Sequence, residues 1–112
     1  NIETFFKIIE PQSYYDFLGL LKNCKYLITD SGGAVRESYW MNKPSLSILN
    51  KPVWPELNQA GVSFNTQANK KSILDTFKSL EKIEINTTEN IFGKGNTASL
   101  VIKVILKHQN EY

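Results

Sequence analysis

The chain has 112 residues, 41% of them hydrophobic, and carries 13 Lys and Arg against 11 Asp and Glu for a net charge of +2. That length suits one small domain with a single core, and so mild a charge gives no argument for a nucleic acid or a membrane surface as partner. No apolar run approaches the roughly 20 residues of a membrane helix, no secretory leader pattern opens the chain, and one cysteine with one histidine leaves no intrachain disulfide and no zinc site.

Cys24 as a lone thiol fits a reduced, cytoplasmic setting, and its place between a helix and a strand pattern reads as buried and inert. The chain opens on Asn1-Ile2-Glu3 without an initiator methionine, so a fragment of a longer protein is expected.

In chain order, Phe5-Phe6-Lys7-Ile8-Ile9 is β-branched and aromatic and closes at Pro11, which predicts a strand and a turn. Ser13 can cap a helix whose Tyr14, Phe17, Leu18 and Leu21 form one apolar stripe, ending at Asn23-Cys24-Lys25. Residues 26–29 read as a buried strand. The strand breaks at Asp30-Ser31-Gly32-Gly33, and a helix carrying Val35, Tyr39 and Trp40 follows to Asn42-Lys43-Pro44. Residues 45–49 give a third strand, and 50–61, with Pro52, Trp54, Pro55 and Gly61, a long connecting loop of the kind that carries function. Residues 62–64 form a short fourth strand. A helix over 68–82 puts Ile73, Leu74, Phe77 and Leu80 on one face, and 83–90 is expected to be irregular. After a second Gly-rich turn, Gly93-Lys94-Gly95-Asn96, an amphipathic helix runs through Leu100, Val101, Val104 and Ile105 to His108.

Strands alternating with helices imply right-handed crossovers and an α/β fold with a doubly wound parallel sheet. Ligands of such sheets lie beyond the carboxyl ends of the strands, so the turn at 30–33, the 50–61 loop and the second Gly-rich turn can converge on one rim.

The turn at 30–33 is the most informative feature. A strand that ends in small residues and opens a helix points unpaired backbone N–H groups, and the positive end of the helix dipole, at one spot suited to a phosphate or diphosphate. Gly32 and Gly33 let an anion approach the backbone where a Cβ would obstruct it. Glu37 lies one turn on, and helix side chains lean toward the N-terminus, so its carboxylate can reach back as an acceptor for ribose hydroxyls. Read as structure alone, Ser31 caps the helix and Glu37 is solvated.

An ordered set of segments extends the pattern: Pro11-Gln12-Ser13-Tyr14-Tyr15-Asp16-Phe17, Leu20-Leu21-Lys22-Asn23, Thr29-Asp30-Ser31-Gly32-Gly33 with Glu37, Asn42-Lys43-Pro44, Trp54-Pro55-Glu56-Leu57, Ala60-Gly61, and Phe92-Gly93-Lys94-Gly95-Asn96-Thr97-Ala98. In this order and spacing the chain resembles the C-terminal half of non-hydrolysing UDP-N-acetylglucosamine 2-epimerases. The resemblance implies a Rossmann-like, nucleotide-binding domain over 1–112, the C-terminal half of a GT-B-type two-domain enzyme whose N-terminal catalytic domain is absent. It implies an isomerase of polysaccharide biosynthesis that needs no cofactor, eliminates UDP from a UDP-HexNAc to a 2-acetamidoglucal and adds it back to the other outcome at C2.

By the same resemblance Ser31, Gly32 and Gly33 hold the diphosphate, Glu37 holds the ribose and Phe17 lies beside the uracil, although Phe17 also fits plain core packing. The catalytic acids and bases belong to the absent domain, so the chain by itself is expected to be inactive. The implied partners are a UDP-sugar, the N-terminal domain and, at full length, a second copy in a homodimer. Trp54 stands where many members have an arginine near the diphosphate, a charge that Arg36 or Lys51 could replace, and Lys94 replaces an acid. The donor-nucleotide-binding domain of a GT-B glycosyltransferase is the alternative reading.

Overall fold

The computed structural model describes residues 4–85 and 90–109. Its elements run α1 (Tyr14–Asn23), β1 (Leu27–Thr29), α2 (Gly32–Trp40), β2 (Ser45–Ser47), α3 (Pro55–Gln59), β3 (Ser63–Asn65), α4 (Lys70–Leu80) and α5 (Thr97–Gln109). Each of the first three long helices starts at a polar cap. Ser13, Ser31 and Asn69 accept from the backbone N–H groups of Asp16, Ala34 and Ser72, satisfying donors that the first helical turn leaves without partners.

The three strands form one parallel sheet in the order β1-β2-β3, with Leu27, Ser45 and Ser63 in register, then Ile28, Leu46 and Phe64. The α/β fold with a parallel sheet is therefore as expected. Helix α2 packs on β1 and β2, α3 on β3, and α4 on β2 and β3. Leu46, Leu57 and Leu80 are wholly buried, and the central strand is flanked by buried serines, with Ser45 Oγ donating to Ser63 Oγ at 3.0 Å.

Three expectations are corrected. Residues 5–9 form no strand: Phe5 is 84% and Ile8 76% exposed, because among the described residues no neighbouring strand stands beside them to complete a ladder. The segment 50–61 is not all loop, since Pro55, whose fixed φ suits the first turn, starts the five-residue α3. Helix α5 forms as expected but buries none of its residues; Leu100, Val101, Val104 and Ile105 all stay about half exposed. Of the stretch 83–90, residues 86–89 lie outside the described ones.

Among the described residues no helix is long and apolar enough to cross a membrane. Cys24 sits half-buried after α1, its thiol donating to the Leu21 carbonyl at 3.1 Å, and burial pushes its pKa up. The thiolate is the reactive form, so Cys24 is expected to react with iodoacetamide at pH 8 roughly three- to tenfold more slowly than a small-molecule thiol. A rate matching the free thiol would show that the burial is not maintained in solution.

Candidate functional site

Thr29 ends β1, and its Oγ1 accepts from Ser31 N–H at 3.0 Å, which turns the chain out of the sheet. Ser31 then caps α2, its Oγ accepting from Ala34 N–H at 3.4 Å. Ser31 and Gly33 are exposed, so the head of a nine-residue helix is open to solvent directly beyond the carboxyl end of β1.

The two glycines differ in kind. A Cβ on Gly32 would come within 2.8 Å of Val53 Cγ1, whereas one on Gly33 would meet only Ser31 Oγ at 3.8 Å. At Gly32 a side chain would have to push aside that of half-exposed Val53. At Gly33 it would displace nothing, and the space that Gly33 leaves lies on the open side of the turn.

Glu37 is half-buried one turn further along α2. The residue that meets it is Tyr14, on α1. Partial desolvation and then the Glu37 carboxylate hold the Tyr14 hydroxyl above its ordinary pKa, while Arg36 draws it down. Phe17, one turn along α1 from Tyr14, is half-buried. The docking of α1 on α2 thus brings the Tyr14 end of the α1 stripe to Glu37. Tyr14 counted only as core stripe in the sequence, because nothing local in the chain says which helix its hydroxyl will face.

Behind the turn stands an aromatic cluster. Trp54, at the start of α3, donates from Nε1 to the Gly32 carbonyl at 2.7 Å. The Arg36 guanidinium lies 4.9 Å from the Trp54 ring centre and 5.2 Å from that of Trp40, within the range of cation–π attraction. Its Nε is sealed from solvent with no hydrogen-bond partner among the described residues. Phe92 sets its ring edge-on to Trp54 at 5.2 Å and to Tyr39 at 5.6 Å, and the Tyr39 hydroxyl accepts from Ile91 N–H. The 50–61 segment and the residues before the second Gly-rich turn therefore do converge on α2. Of the two cations that the sequence offered near the turn, Arg36 is clamped in this cluster, whereas Lys51 is exposed.

An open, capped helix head with a carboxylate one turn on and an aromatic wall behind can take a phosphate-bearing ligand with a hydroxylated neighbour group. No cluster of residues fit to hold a metal ion occurs among the described residues.

The sequence model of a family described as UDP-N-acetylglucosamine 2-epimerase matches residues 1–106. A UDP-N-acetylglucosamine 2-epimerase of Methanococcus maripaludis is 31% identical over 99 residues, which is 88% of this chain and 27% of that protein. The crystal structure of the Methanocaldococcus jannaschii UDP-GlcNAc 2-epimerase in complex with UDP-GlcNAc and UDP superposes with a TM-score of 0.78 at 27% identity, covering 90% of this chain and 28% of that one. The Neisseria meningitidis enzyme bound to UDP-GlcNAc gives a TM-score of 0.69 at 28% identity, covering 88% and 28%. The chain thus spans little more than a quarter of the length of the relatives it matches. Its own fold, its ordered motifs and a family match over nearly all its residues agree: the chain belongs to the UDP-N-acetylglucosamine 2-epimerase family.

Proposed function

We propose that the chain is the UDP-binding, C-terminal part of a UDP-N-acetylglucosamine 2-epimerase. Ser31, Gly32 and Gly33 take the diphosphate on the head of α2, Glu37 accepts from the ribose hydroxyls, and Phe17 flanks the uracil. The observation that carries this reading is the exposed Ser31–Gly33 turn with Glu37 one turn behind it on the same helix. The likeness to an epimerase complexed with UDP-GlcNAc and UDP supports it.

In this reading the chain holds UDP while it leaves the sugar and until it returns, and the helix dipole and backbone N–H groups steady the charge that the departing diphosphate gathers. The acids and bases that move the proton at C2 come from the N-terminal domain, so the 112 residues alone do not epimerise. The whole enzyme works in the cytoplasm as a homodimer.

Two experiments test this. The chain alone, incubated with UDP-GlcNAc and followed by NMR, should yield no manno epimer; its appearance at a catalytic rate would overturn the division of labour. In the natural-length protein, Glu37→Ala should weaken UDP by about 1–3 kcal/mol, the range for a hydrogen bond to a charged group. The same change should leave 2′,3′-dideoxy-UDP untouched. Equal losses for both ligands would remove Glu37 from the ribose.

A further inference from the structure

Tyr14 lies on the apolar stripe of α1, yet it is not core. Burial along that stripe fades toward the head of the helix: Leu21 is 2% exposed, Phe17 and Leu18 are half-buried, and Tyr14 is 57% exposed. Packing therefore does not account for an aromatic ring at this position. What holds the ring is local. Ser13 caps α1 directly before it, its Oγ accepting from Asp16 N–H and donating to the Asp16 carboxylate at 2.6 Å. The Tyr15 ring stands edge-on to that of Tyr14 at 6.0 Å. From this fixed start the Tyr14 hydroxyl crosses to α2, within hydrogen-bonding reach of the Glu37 carboxylate.

Glu37 has use for such a neighbour. It is a long, flexible side chain, half-buried on α2, and among the described residues no lysine or arginine forms an ion pair with it. Arg36 from α2 and Tyr15 from α1 also act on the Tyr14 hydroxyl, the first favouring its ionised form and the second opposing it. A phenol is a neutral donor on a stiff arm, and its bond to an ionised acceptor is stronger than one between neutral groups. A carboxylate offers two oxygens and about four acceptor positions, so one donor leaves room for both hydroxyls of a diol. A carboxylate held in place before the ligand arrives loses less of the binding energy to ordering.

We propose that Tyr14 is a positioning residue of the nucleotide site, its hydroxyl donating to one oxygen of Glu37 and turning the other toward the ribose diol. Tyr14 acts through Glu37 and makes no contact of its own with the ligand. The inference rests on the assignment of Glu37 to the ribose and adds what aims that carboxylate.

The test is Tyr14→Phe in the natural-length protein, which keeps the ring and its contact with Tyr15 and removes only the hydroxyl. UDP should bind about three- to tenfold more weakly, the size of one ordinary hydrogen bond, while 2′,3′-dideoxy-UDP binds as before. In the Glu37→Ala background the same substitution should weaken UDP no further, because nothing is left to aim. A merely structural tyrosine would shift both ligands together and would add to Glu37→Ala. A second measurement needs no nucleotide. In protein labelled at the tyrosine ring carbons and followed by NMR from about pH 8 to 11, the Tyr14 hydroxyl should titrate lower in Glu37→Gln than in the unaltered protein. An unmoved titration would overturn the contact and the proposal with it. Unchanged UDP affinity in Tyr14→Phe, beside a Glu37→Ala protein that loses UDP and not its dideoxy analogue, would overturn the proposal alone. Tighter UDP binding would overturn it too, by making the phenol an occupant of the ribose site. If Glu37→Ala weakens both ligands equally, the ribose assignment falls first and this inference falls with it.

Discussion

Trp54→Ala is expected to lower the stability of the natural-length protein by about 3 kcal/mol, in the range for removing a large aromatic from a packed site. The indole joins three things that no other side chain joins. It bonds the Gly32 carbonyl, carries the Arg36 guanidinium on its face and receives the edge of Phe92. Alanine would leave Arg36 with its sealed Nε and only Trp40 to stack on. Trp54→Phe keeps an aromatic face and loses the hydrogen bond, so it should cost about 1 kcal/mol. Urea denaturation of the three proteins measures both. Equal losses in the two variants would mean that the bond to Gly32, and not the stacking, holds the cluster.

Exchanging the two glycines for larger residues should separate folding from binding. Gly32→Val drives a branched side chain into Val53, next to Trp54, and is expected to destabilise by about 1–3 kcal/mol, the range for overpacking. The Cβ of Gly33→Val meets only Ser31 Oγ, at 3.8 Å. The substitution should change stability by only a few tenths of a kcal/mol, since valine is slightly the better helix residue of the two, yet weaken UDP and pyrophosphate alike by about tenfold or more, a loss of roughly 1.4 kcal/mol. Thermal melts and titrations on the same samples decide it. A Gly33→Val protein that keeps full pyrophosphate affinity would place the anion somewhere other than this turn.

What could be read from the residues follows from the range of the forces involved. Caps and apolar stripes act within a few positions, so α1, α2 and α4 lay close to their expected bounds, with Ser13 and Ser31 as caps. The break at Asp30–Gly33 was legible because it is local chemistry, a strand giving way to small residues. The stretch 5–9 forms no strand for the opposite reason. Its β-type composition is genuine, but a ladder needs a neighbour, and composition says nothing about where that neighbour is. Helix α3 escaped because five residues are too few to show a period.

The site was legible only as its backbone half. Ser31, Gly32, Gly33 and Glu37 sit on one continuous turn and helix, so their relation is set by the chain itself. Tyr14 against Glu37, and Trp54 against Gly32 and Arg36, join positions 18 to 23 residues apart. Such meetings depend on how helices dock, which single-residue patterns do not encode.

The two tryptophans of the chain, Trp40 and Trp54, both lie against Arg36 and Phe92. Every photon of indole emission from these 112 residues therefore originates at one corner of the molecule, the cluster around Arg36 and Phe92, which reaches the turn at Gly32 through Trp54. A spectroscopist needs no dye or label to watch that corner. Anything that tugs on the turn passes through the bond to Gly32 into the ring of Trp54, and anything that shifts the guanidinium alters the field across both indoles. Intensity and emission maximum then act as a native gauge of the site, readable on a millisecond timescale in a stopped-flow mixer. A small ligand screened against the chain would announce itself in the ultraviolet before any product had to be sought.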